Sequence, residues 1–318
     1  MTKGKEKTPQ KAQAIRDWLN SQVRGQAQAV DLLLYALFSK GHVLLEGAPG
    51  LGKTALANAL AQAIKADFRR VQMTSDLLPS DILGSLRLNA QRSEFEFRKG
   101  PIFTHVLMAD ELNRASAKTQ SALLEAMAEE KVTVDGVSYP LPQPFFVIAT
   151  QNPQEFQGVY PLSESQIDRF SLHIEMNLPS LEHEQEIIEN HLKNAEGIAV
   201  PSSEQLINLQ ELVEIQKKVK EIFVERSLLT YLQKLAESTR EIEGATYGVS
   251  IRALLQWLDL SRARSYLEGR NFLTPDDLVQ LAPFALAHRM IFRESDLQSS
   301  HQKKDLVLHA VQSITQPK

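Results

Sequence analysis

The 318-residue chain contains no cysteine, which excludes a disulfide framework, a thiolate metal site and a cysteine nucleophile. It also lacks a strong charge bias. Lys and Arg number 35 against 39 Asp and Glu, a formal net charge of -4, so bulk electrostatics does not mark a nucleic-acid binder. No apolar run approaches the roughly 20 residues needed to span a bilayer. Lys3, Lys5, Lys7 and Lys11 resemble the charged start of a signal peptide, but Gln13, Arg16 and Asp17 break the apolar stretch that should follow. The expectation is a soluble, cytoplasmic protein. The eight histidines do not cluster at metal spacing, and no Ser-His-Asp arrangement can be read. What remains is ordinary: 43% hydrophobic and 23% charged residues describe a globular chain. Its length suggests two domains at about 100–200 residues each.

Residues 11–38 carry helical periodicity with a break near Gly25. The short apolar run His42 to Leu45 then enters a glycine-rich turn, and Thr54 to Ala66 is a helix-forming stretch behind it. Two further apolar runs, Val106 to Ala109 and Phe145 to Ala149, end in Asp110-Glu111 and Thr150-Gln151-Asn152. Such runs alternating with helical segments suggest buried parallel strands joined by crossover helices. Two hairpins interrupt the alternation. One pairs Leu86 and Leu88 with Phe95 and Phe97; the other turns at Asp135-Gly136, a strong hairpin signal. A linker is expected at Asn177 to Ser180, followed by helices over 206–219, 227–243 and 250–269 and another starting at Thr274-Pro275. Trp18 and Trp257 lie on apolar helical faces and read as core; His288-Arg289 reads as a surface or packing feature.

Gly47-Ala48-Pro49-Gly50-Leu51-Gly52-Lys53-Thr54 fits the phosphate-loop pattern G-x-x-x-x-G-K-[ST]. Its glycines let backbone N–H groups face the phosphates, and the following helix presents its positive end to the same anion. Lys53 adds a mobile charge, and the Thr54 hydroxyl is suited to Mg²⁺. Asp110 at a strand end is placed to hold Mg²⁺, and Glu111 to deprotonate an attacking water; the competing reading is a pair of acidic caps for a helix near Ala115. Asn152 is either a reporter of the γ-phosphate or a turn residue before Pro153. Arg169, between Asp168 and Phe170, is either a held cation or half of a local ion pair with Asp168 or Glu164. Arg252 either approaches phosphates from the second domain or is a solvated helix charge.

In this order the elements resemble the AAA+ ATPases and, within them, the MoxR family. The most specific stretches run over residues 44–54, 70–84, 97–127 and 160–170, and the resemblance spans roughly 20–315. It implies an α/β fold: a three-layer αβα ATPase core over 21–178, after an N-terminal tail and the start of the first helix over 1–20, and an all-helical lid over 181–318. It further implies ATP and Mg²⁺ as cofactors, and a ring, usually a hexamer, with nucleotide between neighbouring subunits. Lys53 and Thr54 match Walker A, Asp110 and Glu111 Walker B, and Asn152 sensor 1. Arg169 matches the arginine finger and Arg252 sensor 2. Val23-Arg24-Gly25-Gln26 matches the stretch lining the adenine pocket, and the hairpins match the helix-2 insertion and the pre-sensor-1 hairpin. Ile251 and Ser163 stand where relatives often carry proline.

The resemblance points to a chaperone-like ATPase acting on partner proteins, typically ones with a von Willebrand factor A (VWA) domain. The alternatives are a nucleic-acid motor and a metal-insertion (chelatase-type) subunit. A DNA-gripping hairpin needs Lys or Arg at its tip. The second tip is Asp135-Gly136 and the first offers only Arg92, which favours a protein client over nucleic acid.

Overall fold

A computed structural model of the chain describes residues 7–89, 94–152, 159–193, 207–292 and 300–317. Helices α1 (Lys7–Gln22) and α2 (Ala27–Phe38) precede β1 (Val43–Glu46), which leads into α3 (Lys53–Ala63) and β2 (Phe68–Gln72). A short α4 (Pro79–Leu83) enters the hairpin β3 (Gly84–Asn89) and β4 (Glu94–Lys99). Then come β5 (Val106–Asp110), α5 (Ala117–Glu129), the hairpin β6 (Lys131–Val134) and β7 (Val137–Pro140), β8 (Phe146–Gln151), α6 (Glu164–Ile167) and β9 (Leu172–Glu175). The C-terminal part consists of α7 (Leu181–Lys193), α8 (Leu209–Lys220), α9 (Arg226–Arg240), β10 (Ala245–Tyr247), α10 (Ile251–Leu267), α11 (Pro275–Leu286), β11 (Ile291–Phe292) and α12 (Ser300–Gln312).

Five strands form one parallel sheet in the order β2-β5-β8-β1-β9. The inner strands β1, β5 and β8 are apolar runs because both faces are covered, whereas the edge strand β2 is half-exposed. Val43, Leu45, Met108 and Ile148 face the layer of α1, α2 and α3, whereas Leu44, Leu107 and Ala149 face Leu123, Leu124 and Met127 of α5. The period-two alternation of a strand thus feeds two separate cores. The first continues into the C-terminal helices, where Ile215, Trp257 and Leu260 belong to the same cluster. Gln216 fastens that junction by donating to the Leu37 carbonyl at 2.9 Å. Trp257 is fully buried and its indole N–H donates to Leu278 O at 2.9 Å, as its apolar position predicts.

Both hairpins form in the expected register, with Leu86 opposite Phe97 and Leu88 opposite Phe95. They touch through Phe97 stacked on Tyr139 at 4.1 Å. The first tip, with Arg92, lies outside the described residues. Two features of the C-terminal part differ from the sequence reading. Helix α7 precedes the first expected helix; its Leu181 (83% exposed) and Ile188 (62%) are exposed and do not join a core. The lid helices also carry a small antiparallel pair, β10 with β11.

Candidate functional site

The carboxyl ends of β1, β2, β5 and β8 open onto one cleft, where ligands bind in open parallel sheets. It has a volume of about 380 Å³ and is lined by Gly50, Gly52, Lys53, Thr54, Arg70, Gln72, Asp110, Glu111 and Asn152, among others. The sequence pattern therefore converges in space. Gly50 (φ +86°) and Gly52 (φ +85°) adopt the left-handed conformation that lets the loop turn back over the start of α3. Gly52 is the N-cap of α3, so the free N–H groups of the helix open into the loop. The Lys53 ammonium donates to Gly47 O at 2.6 Å across the loop.

Opposite the loop, Asp110 ends β5 and is nearly buried. Its Oδ1 accepts from the Thr150 hydroxyl at 2.6 Å, and its Oδ2 accepts from Arg70 Nε at 3.0 Å and Nη2 at 2.5 Å. Glu111 follows in a left-handed conformation (φ 57°), a sparsely populated state for a side-chain-bearing residue and one that clusters at functional sites. Its backbone N–H donates to the same Thr150 hydroxyl at 2.8 Å. Its carboxylate Oε2 accepts from Gln72 at 2.6 Å and from Arg114 at 2.9 Å. The acidic pair thus does not cap the following helix; Ser116 does, accepting from Thr119 N at 3.3 Å. Asn152 is buried at the end of β8 in the same cleft. Thr54 and Asp110 both line the cleft, and their hydroxyl and carboxylate are the hard oxygen donors that suit Mg²⁺.

Arg70, Gln72, Arg114 and Thr150 join the site through these hydrogen bonds and carry no motif of their own. The strand period offers a signal for two of them: Arg70 and Gln72 are two apart on β2, and Gln72 lies in register with Asp110.

On the other flank of the loop, a second cavity of about 340 Å³ is lined by Glu46, Gly47, Ala48, Leu51, Glu175, Met176, Asn177 and Leu178. Val23 is buried beside Gly52, where an added Cβ would meet its Cγ1 at 3.6 Å. Gly25 (φ +75°) abuts Pro179 and His183, and neighbouring Gln26 donates to Asn177 O at 2.7 Å. The segment 23–26 therefore closes the loop from the side where α7 begins.

Arg169 and Arg252 do not line the phosphate-loop cleft. They share a different cavity of about 220 Å³ with Lys40, His42, Met127, Glu130 and Gln256. Arg169 donates to Leu124 O at 2.8 Å, and among the described residues it forms no ion pair with Asp168 or Glu164. Asp168 is taken instead by Arg289 at 3.1 Å and by Arg252 at 3.7 Å. Arg289 is not a surface residue: its side chain is 5% exposed. Burial lowers His42 to about 4, against a weaker opposing hydrogen bond at Met127, so the imidazole is neutral and its Nδ1 accepts from Val147 N at 3.1 Å.

Residues 42–172 match the ATPase family associated with various cellular activities (AAA), and residues 237–309 match the AAA lid domain. The chain is 37% identical to the Mycobacterium tuberculosis protein named Chaperone MoxR1, over 92% of this chain and 79% of that one. It is 40% identical to YeaC of Bacillus subtilis, a protein described as uncharacterized, over 94% and 92% of the two chains. The crystal structure of a candidate ATPase from Cytophaga hutchinsonii superimposes with a TM-score of 0.86 at 34% identity, covering 98% of this chain and 96% of that one. The fold and the cleft define an ATP-hydrolysing AAA+ protein with a helical lid. The chain belongs to the MoxR family of these ATPases. Among the described residues, no helix is long and apolar enough to cross a membrane.

Proposed function

We propose that the chain hydrolyses Mg-ATP as a closed ring, a hexamer in the family's usual form, and uses the cycle to remodel protein clients, above all VWA-domain proteins, in the cytoplasm. The observation that carries this reading is the separation of Arg169 and Arg252 from the cleft that holds Lys53 and Glu111. A head-to-tail contact joins these two surfaces of adjacent copies, and repeating it closes a ring. Exposed apolar side chains support such a contact on both sides: Leu178, Leu181 and Ile188 beside the loop, Ile251 and Leu255 beside Arg252.

Within one copy, the backbone N–H groups of 50–54 and the Lys53 ammonium hold the phosphates, and Val23 and Gly25 border the adenine. Thr54 and Asp110 hold Mg²⁺, which neutralises phosphate charge when bound. Arg70 and Thr150 take three of the lone-pair positions of Asp110, and one on Oδ1 would be left for Mg²⁺, directly or through water. Glu111 accepts the proton of the attacking water, with Gln72 and Arg114 fixing its carboxylate; Asn152 orients that water. Arg169 and Arg252 of the next copy stabilise the charge that develops on the γ-phosphate.

A protein client is favoured by the name of the chaperone relative and by the acidic Asp135-Gly136 turn of the second hairpin. Light scattering of the Glu111→Gln chain with Mg-ATP tests the assembly: a mass several times that of one 35.7 kDa chain is expected, and a single-chain mass overturns the ring. Tight binding of a fluorescent single-stranded oligonucleotide at physiological salt would overturn the protein client in favour of a nucleic-acid motor.

A further inference from the structure

Arg289 closes the short helical turn that follows α11, in the lid, yet its guanidinium reaches into the core. It donates to Asp168 Oδ1 at 3.1 Å and to the Phe170 carbonyl, the residues on either side of Arg169. The same fork donates to Gln256 Oε1 at 2.5 Å, one helical turn beyond Arg252 on α10. The Phe170 carbonyl also accepts from His288 Nε2 at 3.0 Å. Asp168 completes the knot by accepting from the hydroxyl of Ser250 at 3.1 Å, and that hydroxyl caps α10 by accepting from Ala253 N at 3.1 Å.

One buried cation therefore ties together the segment that carries Arg169 and the helix that carries Arg252. A planar fork with several donors in fixed geometry suits that task, and a lysine would engage fewer acceptors. The two arginines it flanks are different: the Arg252 side chain is 53% exposed, and Arg169 is anchored at the Leu124 carbonyl of α5. Long exposed cations lose rotamer freedom when they engage a ligand, and fixing their backbones beforehand reduces the part of that loss that comes from misplacement.

We infer that Arg289 is a positioning residue that presets Arg169 and Arg252 as one cationic edge for the nucleotide of the adjacent copy. This rests on the trans-acting arginines proposed above. The function of Arg289 is then exerted in the subunit that donates the arginines and not in the subunit that binds the ATP.

The test is a mixing experiment. Lys53→Ala chains, which retain the arginines, are combined with Arg169→Ala chains, which retain the phosphate loop, and ATP turnover of this parent mixture is measured. Arg289→Met is then placed in one partner at a time. In the Lys53→Ala partner it should lower turnover of the mixture by about 10²-fold, the scale of a misplaced catalytic group. In the Arg169→Ala partner it should leave turnover at the parent level, with fluorescent ATP-analogue binding retained. Arg289→Lys in the donor should lose less than Arg289→Met. Gln256→Met removes the α10 arm without removing the buried charge, and should give the same asymmetry at smaller size; it decides the matter if Arg289→Met does not fold. Equal losses in both placements, or none in the donor, overturn the positioning role. A parent mixture no more active than its separate chains overturns the trans reading itself, and the role of Arg289 with it.

Discussion

The phosphate-loop cleft and the arginine edge differ in how they are built. In the cleft, the chemistry comes from strand ends of a single sheet, and hydrogen bonds of 2.5–3.0 Å connect neighbours on β2, β5 and β8. At the edge, Arg169 leaves the core on the short segment before β9, Arg252 leaves the lid at the start of α10, and Arg289 bonds to both regions. The cleft is set by backbone geometry that the sheet imposes. The edge is set by side chains that grip across the junction of core and lid. A parallel sheet fixes its strand ends whatever the lid does, whereas the edge depends on lid packing.

Substitutions at the two regions should therefore separate by kind. The largest effect is expected for Arg169→Ala, a loss of about 10³–10⁵ in turnover, the scale of an arginine finger. ATP-analogue binding should persist, because Arg169 does not line the cleft. Unchanged turnover would remove the finger role. Glu111→Gln should slow turnover by about 10²–10⁴-fold while retaining nucleotide, as loss of a general base does; single-turnover rates with bound-nucleotide counts check it.

Trp257→Ala sharpens the contrast through stability. Truncating this buried indole should cost about 3–5 kcal/mol in denaturant unfolding. It lies one residue after Gln256 on α10, so at temperatures where the chain stays folded it should impair arginine donation in mixed assemblies more than nucleotide binding. Equal impairment of both would show that the cleft leans on the lid as much as the edge does.

The smallest effect expected is a pH dependence. His42 lines the arginine cavity with its pKa lowered by burial from 6.5 to about 4. The unfolded imidazole binds a proton near 6.5 and the folded one only near 4. The unfolded state therefore gains protons as the pH falls through that window, and stability drops with it; above 6.5 the contribution is complete. His288 is shifted the same way by burial first, then by the charge of Arg289. His42→Gln should flatten the fall in stability between pH 6.5 and 4 without abolishing it, as followed by thermal unfolding across that range. An unaltered slope would exclude His42 as a source.

The cleft was more legible in the sequence than the edge, for a physical reason. Gly47 to Thr54 is contiguous because one turn has to wrap a phosphate, and Asp110, Glu111 and Asn152 each close an apolar run, which marks a strand end. Arg70 and Gln72 were less visible because β2 is a half-exposed edge strand without an apolar run. At the edge nothing is contiguous. Arg289 lies 121 residues from Asp168, and no local pattern distinguishes a buried arginine that bridges two regions from a surface one. Asp168 and Glu164 are the local acidic candidates for Arg169, but Asp168 is taken by two arginines of the lid, Arg289 and Arg252.

The claim underlying this comparison is that the cleft and the edge of one chain serve different active sites. ATP turnover of Lys53→Ala and Arg169→Ala chains, assayed separately and after mixing, tests it most directly. Each chain alone should be nearly inactive, and the mixture should recover a substantial fraction of wild-type turnover, because intact loops then meet intact arginines across the contact. A mixture that turns over ATP no faster than the sum of its two separate chains would contradict the account.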